Sequence, residues 1–390
     1  MKFEAHVAQQ LANLEGRNLR RTPRTCEGLQ SVYLSMEGRR VLSLCSNNYL
    51  GLASHPAVCA AAAAALSCTG YGSAASRHVS GTEATHLRCE QAFADFLGFS
   101  RALFFGSGYA ANVGTLQALA GAEDVFFSDQ LNHASLIDGM RLSRARVHVF
   151  KHRDLSQLQE LLQRHRHEGK AALVVTDAIF SMDGDVADLQ RLRMLCDSHD
   201  AALVVDEAHA IGVLGPQGRG LCAALNVRPD VLLAPLGKAF GVMGAVVAGP
   251  KEAVHLVENR ARSYVFSTAP PPSQAAAALA ALSLVQSSDD RRTDVMAGIS
   301  DLARGLRDLG FEVPRPQCPI IPLQVGAADA VAAMSSRLFE LGVFAHGIRP
   351  PTVPPGTSRL RLTLSAAHQD ADIDFALSAF AQLKTTTSAR

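Results

Sequence analysis

Asp230-Val231-Leu232-Leu233-Ala234-Pro235-Leu236-Gly237-Lys238-Ala239-Phe240-Gly241 is an apolar run that ends in a glycine-flanked lysine. Upstream, Ala201-Ala202-Leu203-Val204-Val205 is a second such run, and it ends in Asp206-Glu207-Ala208-His209. Both runs are short, aliphatic and bounded by turn residues, the pattern of strands buried on both faces of a parallel sheet. Each delivers a charged residue at a strand's carboxyl end, where open α/β sheets bind ligands.

Working outward, strand-like segments fall near 102–105, 124–127, 147–150, 171–176, 201–205, 231–234 and 245–248. Helical periodicity fills most of the gaps, as over 154–166 and 188–199. This alternation predicts an α/β fold with a mainly parallel, seven-stranded sheet covered on both faces. The Ala-rich stretch 273–285 reads as a buried helix. Beyond about residue 288 a fresh unit begins, with a charged helix, two or three strands and a last helix from Asp370. The expected division is an N-terminal arm over 1–45, a large domain over 46–288 and a small α+β domain over 289–390.

Composition narrows the function. A formal net charge of +1 over 390 residues argues against a nucleic-acid or membrane-surface role carried by bulk charge. The eight cysteines are scattered without a Cys-x-x-Cys pair, so they read as reduced thiols of a cytoplasmic protein, not as a disulfide framework or a metal site. The start is too polar for a signal peptide, and no apolar run approaches the roughly 18–20 residues of a membrane helix.

Five constellations each follow a strand of the same sheet. Gly106-Ser107-Gly108-Tyr109-Ala110-Ala111-Asn112 opens a helix, whose N-terminal amides suit a phosphate; a plain strand-to-helix turn would look the same. His133, in Asn132-His133-Ala134-Ser135, could stack on an aromatic ring or merely cap a helix. Phe180-Ser181-Met182-Asp183-Gly184-Asp185 puts Ser181 in an Asp-Gly turn. Asp206 with His209 places a carboxylate where burial demands a partner. A helicase reading of Asp-Glu-Ala-His fails, because the chain has no phosphate loop of the Gly-x-x-x-x-Gly-Lys-Ser/Thr type. Lys238 completes the set. A lysine able to form a Schiff base and an aspartate able to hold a pyridinium nitrogen are the minimal protein contribution to pyridoxal phosphate (PLP) chemistry.

These segments, with Ser46-Asn47-Asn48-Tyr49-Leu50-Gly51-Leu52 and Ser76-Arg77-His78-Val79-Ser80-Gly81-Thr82, make the chain resemble the α-oxoamine synthase family of fold-type I PLP enzymes over nearly its whole length. Within that family, Arg349-Pro350-Pro351-Thr352-Val353-Pro354 tips the resemblance toward members that condense L-alanine with a pimeloyl thioester. Sister activities, glycine with a short acyl-CoA or serine with a long one, stay open, as does a fold-type I aminotransferase. The resemblance implies that Lys238 carries PLP and moves the α-proton, and that Asp206 pairs with the ring nitrogen. It implies that His209 meets the phenolic oxygen with Ser181 nearby, that His133 stacks on the ring, and that Gly108 and Tyr109 serve the phosphate. Ser267 and Thr268 would reach the phosphate held by the other subunit of a homodimer. Arg361, with Asn47, would bind the amino-acid carboxylate, while Thr352 and Arg20 face the acyl chain. The thiol carrier would be coenzyme A or an acyl carrier protein. One departure stands out: Pro235 occupies the place, three residues before the lysine, where the family keeps a Thr or Ser hydroxyl for the phosphate.

Overall fold

The computed structural model describes residues 2–17 and 19–387, with side chains described through Lys384. The chain divides into two compact units. The larger comprises Asn47–Ser181 and Asp185–Thr293. The smaller takes the residues up to Ser46, the short piece Met182–Gly184, and everything from Asp294 onward.

Three short strands come first in the chain, β1 (Cys26–Glu27), β2 (Tyr33–Met36) and β3 (Arg39–Ser43). The large unit then supplies β4 (Arg101–Phe105), β5 (Val125–Asp129), β6 (Arg146–Phe150), β7 (Ala172–Asp177), β8 (Ala202–Asp206), β9 (Val231–Pro235) and β10 (Ala245–Gly249). They form one sheet in the order β4-β10-β9-β8-β7-β5-β6. Only β10 runs against its neighbours; β5 to β9 pair in parallel. The mainly parallel, seven-stranded sheet expected from the apolar runs is therefore present. Since β10 opposes both β4 and β9, β4 points the same way as β5 to β9. The carboxyl ends of β4, β5, β7, β8 and β9 consequently share one edge.

Apart from the largely exposed edge strand β6, the strands carry continuous apolar side chains: Phe126, Val175, Val204, Leu233 and Val247 are almost entirely excluded from solvent. Each such side chain is worth about 1.5–3 kcal/mol on burial. Two of the covering helices start where a side chain can cap them. Asp154 accepts from the Gln157 amide at 2.9 Å to open Leu155–His165, and Asp188 accepts from the Arg191 amide at 3.1 Å to open Leu189–Ser198. The alanine-rich helix Pro272–Gln286 starts on a proline, which suits the first turn. Small side chains let it lie against the alanine-rich Pro56–Thr69.

The smaller unit adds β11 (Ile320–Gly326), β12 (Val343–Phe344), β13 (Gly347–Ile348) and β14 (Ser358–Thr363). β11, β14 and β13 form an antiparallel sheet. β12 joins β1, β2 and β3 in a second sheet, lying parallel to β3. The N-terminal arm expected over 1–45 is not a separate element, because β3 pairs with a strand three hundred residues later. The helix Phe3–Gly16 does stand out, with no buried residue. Among the described residues, no helix is long and apolar enough to cross a membrane.

Candidate active site

Lys238 sits in the nine-residue connection between β9 and β10. Leu236 N–H donates to the Gly244 carbonyl at 2.9 Å, and Gly241 N–H donates to the Lys238 carbonyl at 2.9 Å, closing a turn around the lysine. Gly241 has φ +66°, and a Cβ there would lie 2.3 Å from the Ala53 nitrogen. Only glycine fits that place, so the lysine's position is built into the backbone. Its Nζ lies 2.7 Å from His209 Nε2, and His209 Nδ1 lies 2.8 Å from the Tyr49 hydroxyl. That hydroxyl is 3.2 Å from Asn47 Oδ1. With the lysine donating, the consistent tautomer has His209 Nδ1–H donating to Tyr49 and Tyr49 donating to Asn47.

Asp206 ends β8 with 3% of its surface exposed. Its Oδ1 accepts from the Ala208 amide at 2.9 Å and its Oδ2 from Asn112 Nδ2 at 2.6 Å. Asn112 Nδ2 also donates to Ser135 Oγ at 2.9 Å, and Ser135 Oγ donates to His133 Nδ1 at 2.7 Å. This leaves the His133 proton on Nε2. Burial lowers the His133 pKa and nearby Lys238 adds to the effect, with Asp206 opposing it. The ring is therefore neutral.

Asp177 ends β7 directly beside Asp206 in the strand register. Burial first, and then the charge of Asp206, raises its pKa well above the ordinary carboxylate value. Its Oδ2 accepts from the His133 amide at 2.7 Å. Two adjacent buried carboxyls cannot both ionise cheaply, so Asp177 keeps its proton.

Gly108 opens the helix Gly108–Leu119, capped by Ser107, whose Oγ accepts from the Ala110 amide at 3.2 Å. A Cβ on Gly108 would lie 2.9 Å from Pro235 Cβ. Pro235, the proline that breaks the family pattern, thus packs against Gly108. Tyr109 is half exposed and its hydroxyl donates to Asp138 Oδ2. Ser181 lies in a hairpin turn closed by the Ile179–Val186 bridge. Ser267 and Thr268 are exposed beside the exposed Phe266.

In the smaller unit, Arg359 and Arg361 stand two apart on β14 and so share a face. Arg359 pairs with Asp183, and Arg361 is buried. A cavity of about 490 Å³ is lined by Leu19, Arg21, His346, Arg349 and Thr352 among others. Of the arginine pair, Arg21 donates to Thr352 Oγ1 at 2.8 Å, whereas the expected Arg20 turns to an exposed ion pair with Glu15 at 3.2 Å. Burial, then the charges of Arg349, Arg21 and Arg24, hold the His346 pKa below its usual value. The cavity wall is therefore cationic.

Sequence reasoning missed Asn112, Tyr49 and Asp177 as site residues. The first two lay inside motifs already singled out, and Asp177 directly follows the strand expected over 171–176. Among the described residues, His148, His165 and Glu168 bring possible metal-ligand atoms within 4.8 Å of one another. Both imidazoles already bond Glu168, at 3.1 and 2.7 Å, and their rings stack at 4.1 Å and 19°. Near-parallel rings aim their lone pairs side by side, not at one point.

The sheet edge of a PLP-type lysine and a buried aspartate defines a class, and the whole chain agrees with it. Residues 39–380 match the model of the aminotransferase class I and II family, to which the chain belongs. The particular likeness is narrower. The chain is 49% identical to 8-amino-7-oxononanoate synthase of Anaeromyxobacter dehalogenans (strain 2CP-1) over 96% of this chain and 94% of that protein. It is 46% identical to 8-amino-7-oxononanoate synthase of Geotalea daltonii, over 96% of each. Among solved structures, Sphingomonas wittichii serine palmitoyltransferase superposes with a TM-score of 0.92 at 31% identity, covering all of this chain and 98% of that one. A structure of SPT with PLP superposes at 0.93 with 29% identity, covering 100% and 99%. The α-oxoamine synthase resemblance drawn from the motifs is borne out.

Proposed function

We propose that the protein is a cytoplasmic, homodimeric, PLP-dependent acyltransferase. It condenses L-alanine with a pimeloyl thioester to give 8-amino-7-oxononanoate, carbon dioxide and the free thiol carrier, a step of biotin biosynthesis. The observation that carries this reading is the meeting of Lys238, His209 and Asp206 at one sheet edge, in a chain 49% identical to that synthase.

The residues fit the cofactor. A carboxylate 3% exposed, beside an Asn112 Oδ1 that is buried without a partner, is a setting that a cationic ring nitrogen would satisfy. Asp206 would face that nitrogen, His209 the phenolic oxygen, His133 the ring, and the Gly108–Leu119 helix N-terminus the phosphate. Ser181 would lie near the phenolic oxygen, and Ser267 and Thr268 would serve the phosphate of the second subunit. When bound, PLP supplies the electron sink that makes the amino acid's α-carbon nucleophilic.

Lys238 would hold the cofactor covalently and, once displaced by the amino acid, take the α-proton on Nζ and return one later. His209, bonded to both Lys238 and Tyr49, fixes the direction of that amine. The neutral His133 Nε2–H is available as a donor. Arg361, with Asn47, would grip the alanine carboxylate, a bidentate task suited to a guanidinium. In the overall reaction a bond forms between the α-carbon and the acyl carbon, the thioester C–S bond breaks, and the carboxyl leaves as carbon dioxide.

The test has two parts. Borohydride reduction and peptide mass analysis should place a pyridoxyl group on Lys238; an adduct elsewhere, or none, defeats the mechanism. Incubation of alanine with pimeloyl, succinyl, acetyl and palmitoyl thioesters should give carbon dioxide and a ketone fastest with pimeloyl. A preference for succinyl or palmitoyl would assign a sister activity.

The acyl chain's far end is assigned to the cationic cavity, with Arg21 and Thr352 as its contacts. Arg21→Ala should raise KM for the pimeloyl thioester about 10- to 100-fold, the worth of a hydrogen bond to a charged group, and leave kcat near normal. Arg20→Ala should change neither, since its ion pair with Glu15 is exposed. The reverse outcome would return the role to Arg20.

A further inference from the structure

His152 lies outside every motif that carries the chemistry, two residues past β6. Its Nδ1 is 2.9 Å from Asp129 Oδ1 and its Nε2 is 2.7 Å from Asp185 Oδ2. Carboxylates only accept hydrogen bonds, so both ring nitrogens must donate, and a ring with two N–H groups is an imidazolium. We propose that His152 is a positioning residue whose cationic ring straps two cofactor loops together, the one that carries His133 and the one that carries Ser181.

Asp129 is the last residue of β5, at the root of the loop that leads to His133. It accepts from the Leu131 amide at 2.8 Å and from the Arg153 amide at 2.9 Å. Three residues on, Asn132 donates to the Val175 carbonyl at 2.8 Å and accepts from the Asp177 amide at 3.1 Å, which seats His133 against β7. Asp185 closes the turn that presents Ser181, its carbonyl accepting from the Phe180 amide at 3.0 Å. Phe180, next to Ser181, meets the His152 ring edge-on, with centroids 4.3 Å apart at 85°. One ring therefore touches the root of one loop, the base of the other, and the residue beside the expected cofactor contact.

The charged groups facing His152 are Asp129 from β5, Asp185 from the hairpin turn, and Arg153 from its own segment, whose guanidinium lies 3.2 Å from Asp185. Burial opposes the charge on His152, but the bonds to Asp129 and Asp185 outweigh it and raise its pKa to about 9. A folded pKa above the ordinary 6.5 means that the ring keeps its proton in the fold well past neutrality, and that the stability the strap contributes is complete below about pH 6.5. It is lost as pH rises through about 9. Loss of the proton turns one N–H donor into a lone pair that faces a carboxylate oxygen, so attraction becomes repulsion.

The proposal rests on reading this sheet edge as the PLP site, and the experiment separates the two. In cofactor-free wild-type protein labelled with carbon-13 histidine, the His152 resonance should not titrate until near pH 9; titration at or below 6.5 overturns the strap whatever the protein binds. PLP affinity is then measured by equilibrium dialysis on wild type and His152→Gln from pH 7 to 10. At pH 7.5 the variant should bind about tenfold more weakly, the lower end expected for one hydrogen bond to a charged group. The ratio should shrink toward one by pH 10, where wild type has lost its own proton. A ratio constant with pH would reduce His152 to a packing role and overturn the proposal, as would equal binding at pH 7.5. Wild type that binds no PLP at all would instead sink the reading of the site.

Discussion

Lys238→Ala should abolish turnover, with kcat falling at least about 10³-fold, within the range ascribed to a positioned proton-transfer group. The argument combines chemistry and backbone. The amine is the only nucleophile that the β9–β10 connection offers, and it lies 2.7 Å from His209 Nε2. The turn that presents it is held by main-chain bonds, Leu236 N–H to the Gly244 carbonyl and Gly241 N–H to the Lys238 carbonyl, which alanine keeps. The side chain is half-buried and carries no part of the apolar core. Its removal should therefore move stability by only about 0.5–1.5 kcal/mol, the net worth of a hydrogen bond such as the one to His209. The check is a pair of measurements, kcat with alanine and pimeloyl thioester, and the thermal midpoint of the cofactor-free protein. A folded variant with about a tenth of normal activity or more would be incompatible with Lys238 as both anchor and proton carrier.

How much of this was legible in the sequence follows from how local each signal is. Six of the seven strands of the large sheet announce themselves, because a strand buried on both faces must be a continuous apolar run; the edge strand β6 is largely exposed and shows only through its β-branched and aromatic residues. The residues at their carboxyl ends follow from the same reading. The pairing of β3 with Val343–Phe344 was not legible, since a two-residue strand carries no period and pairing at such separation leaves no local trace. That Arg21, and not Arg20, bonds Thr352 was not legible, because a segment without regular structure gives no register from which to choose between two adjacent arginines. Asn112 lay in a quoted motif, yet its role depends on a contact with Asp206 ninety-four residues away. His152 is the plainest case: nothing in the residues around it says that both ring nitrogens meet carboxylates from separate loops.

Asp206→Asn should lower kcat by about 10²- to 10³-fold, the usual worth of a preorganised electrostatic contact, and leave the fold intact. Asparagine fills the same space and its Oδ1 can still accept from the Ala208 amide. Its amide group, however, would point a donor at Asn112 Nδ2, which is itself a donor to the present carboxylate at 2.6 Å. A ring nitrogen that carries a proton would meet the same conflict. Chemistry thus suffers twice, by loss of charge and by mismatch of donors. Stability should move the other way. Asp177 holds its proton in the fold because burial and then the Asp206 charge raise its pKa above 3.8. A carboxyl with a raised folded pKa contributes stability that is complete below its unfolded value and is lost as pH climbs toward the folded one. Removing the Asp206 charge lowers the folded value and narrows that window. The variant's thermal midpoint, measured without cofactor, should therefore gain on wild type as pH rises from about 5 to 8, while activity stays low throughout. A variant whose midpoint falls relative to wild type over that range would show that Asp206 does not set the protonation of Asp177. Near-normal kcat in a cofactor-loaded variant would show that Asp206 is not the partner of the ring nitrogen.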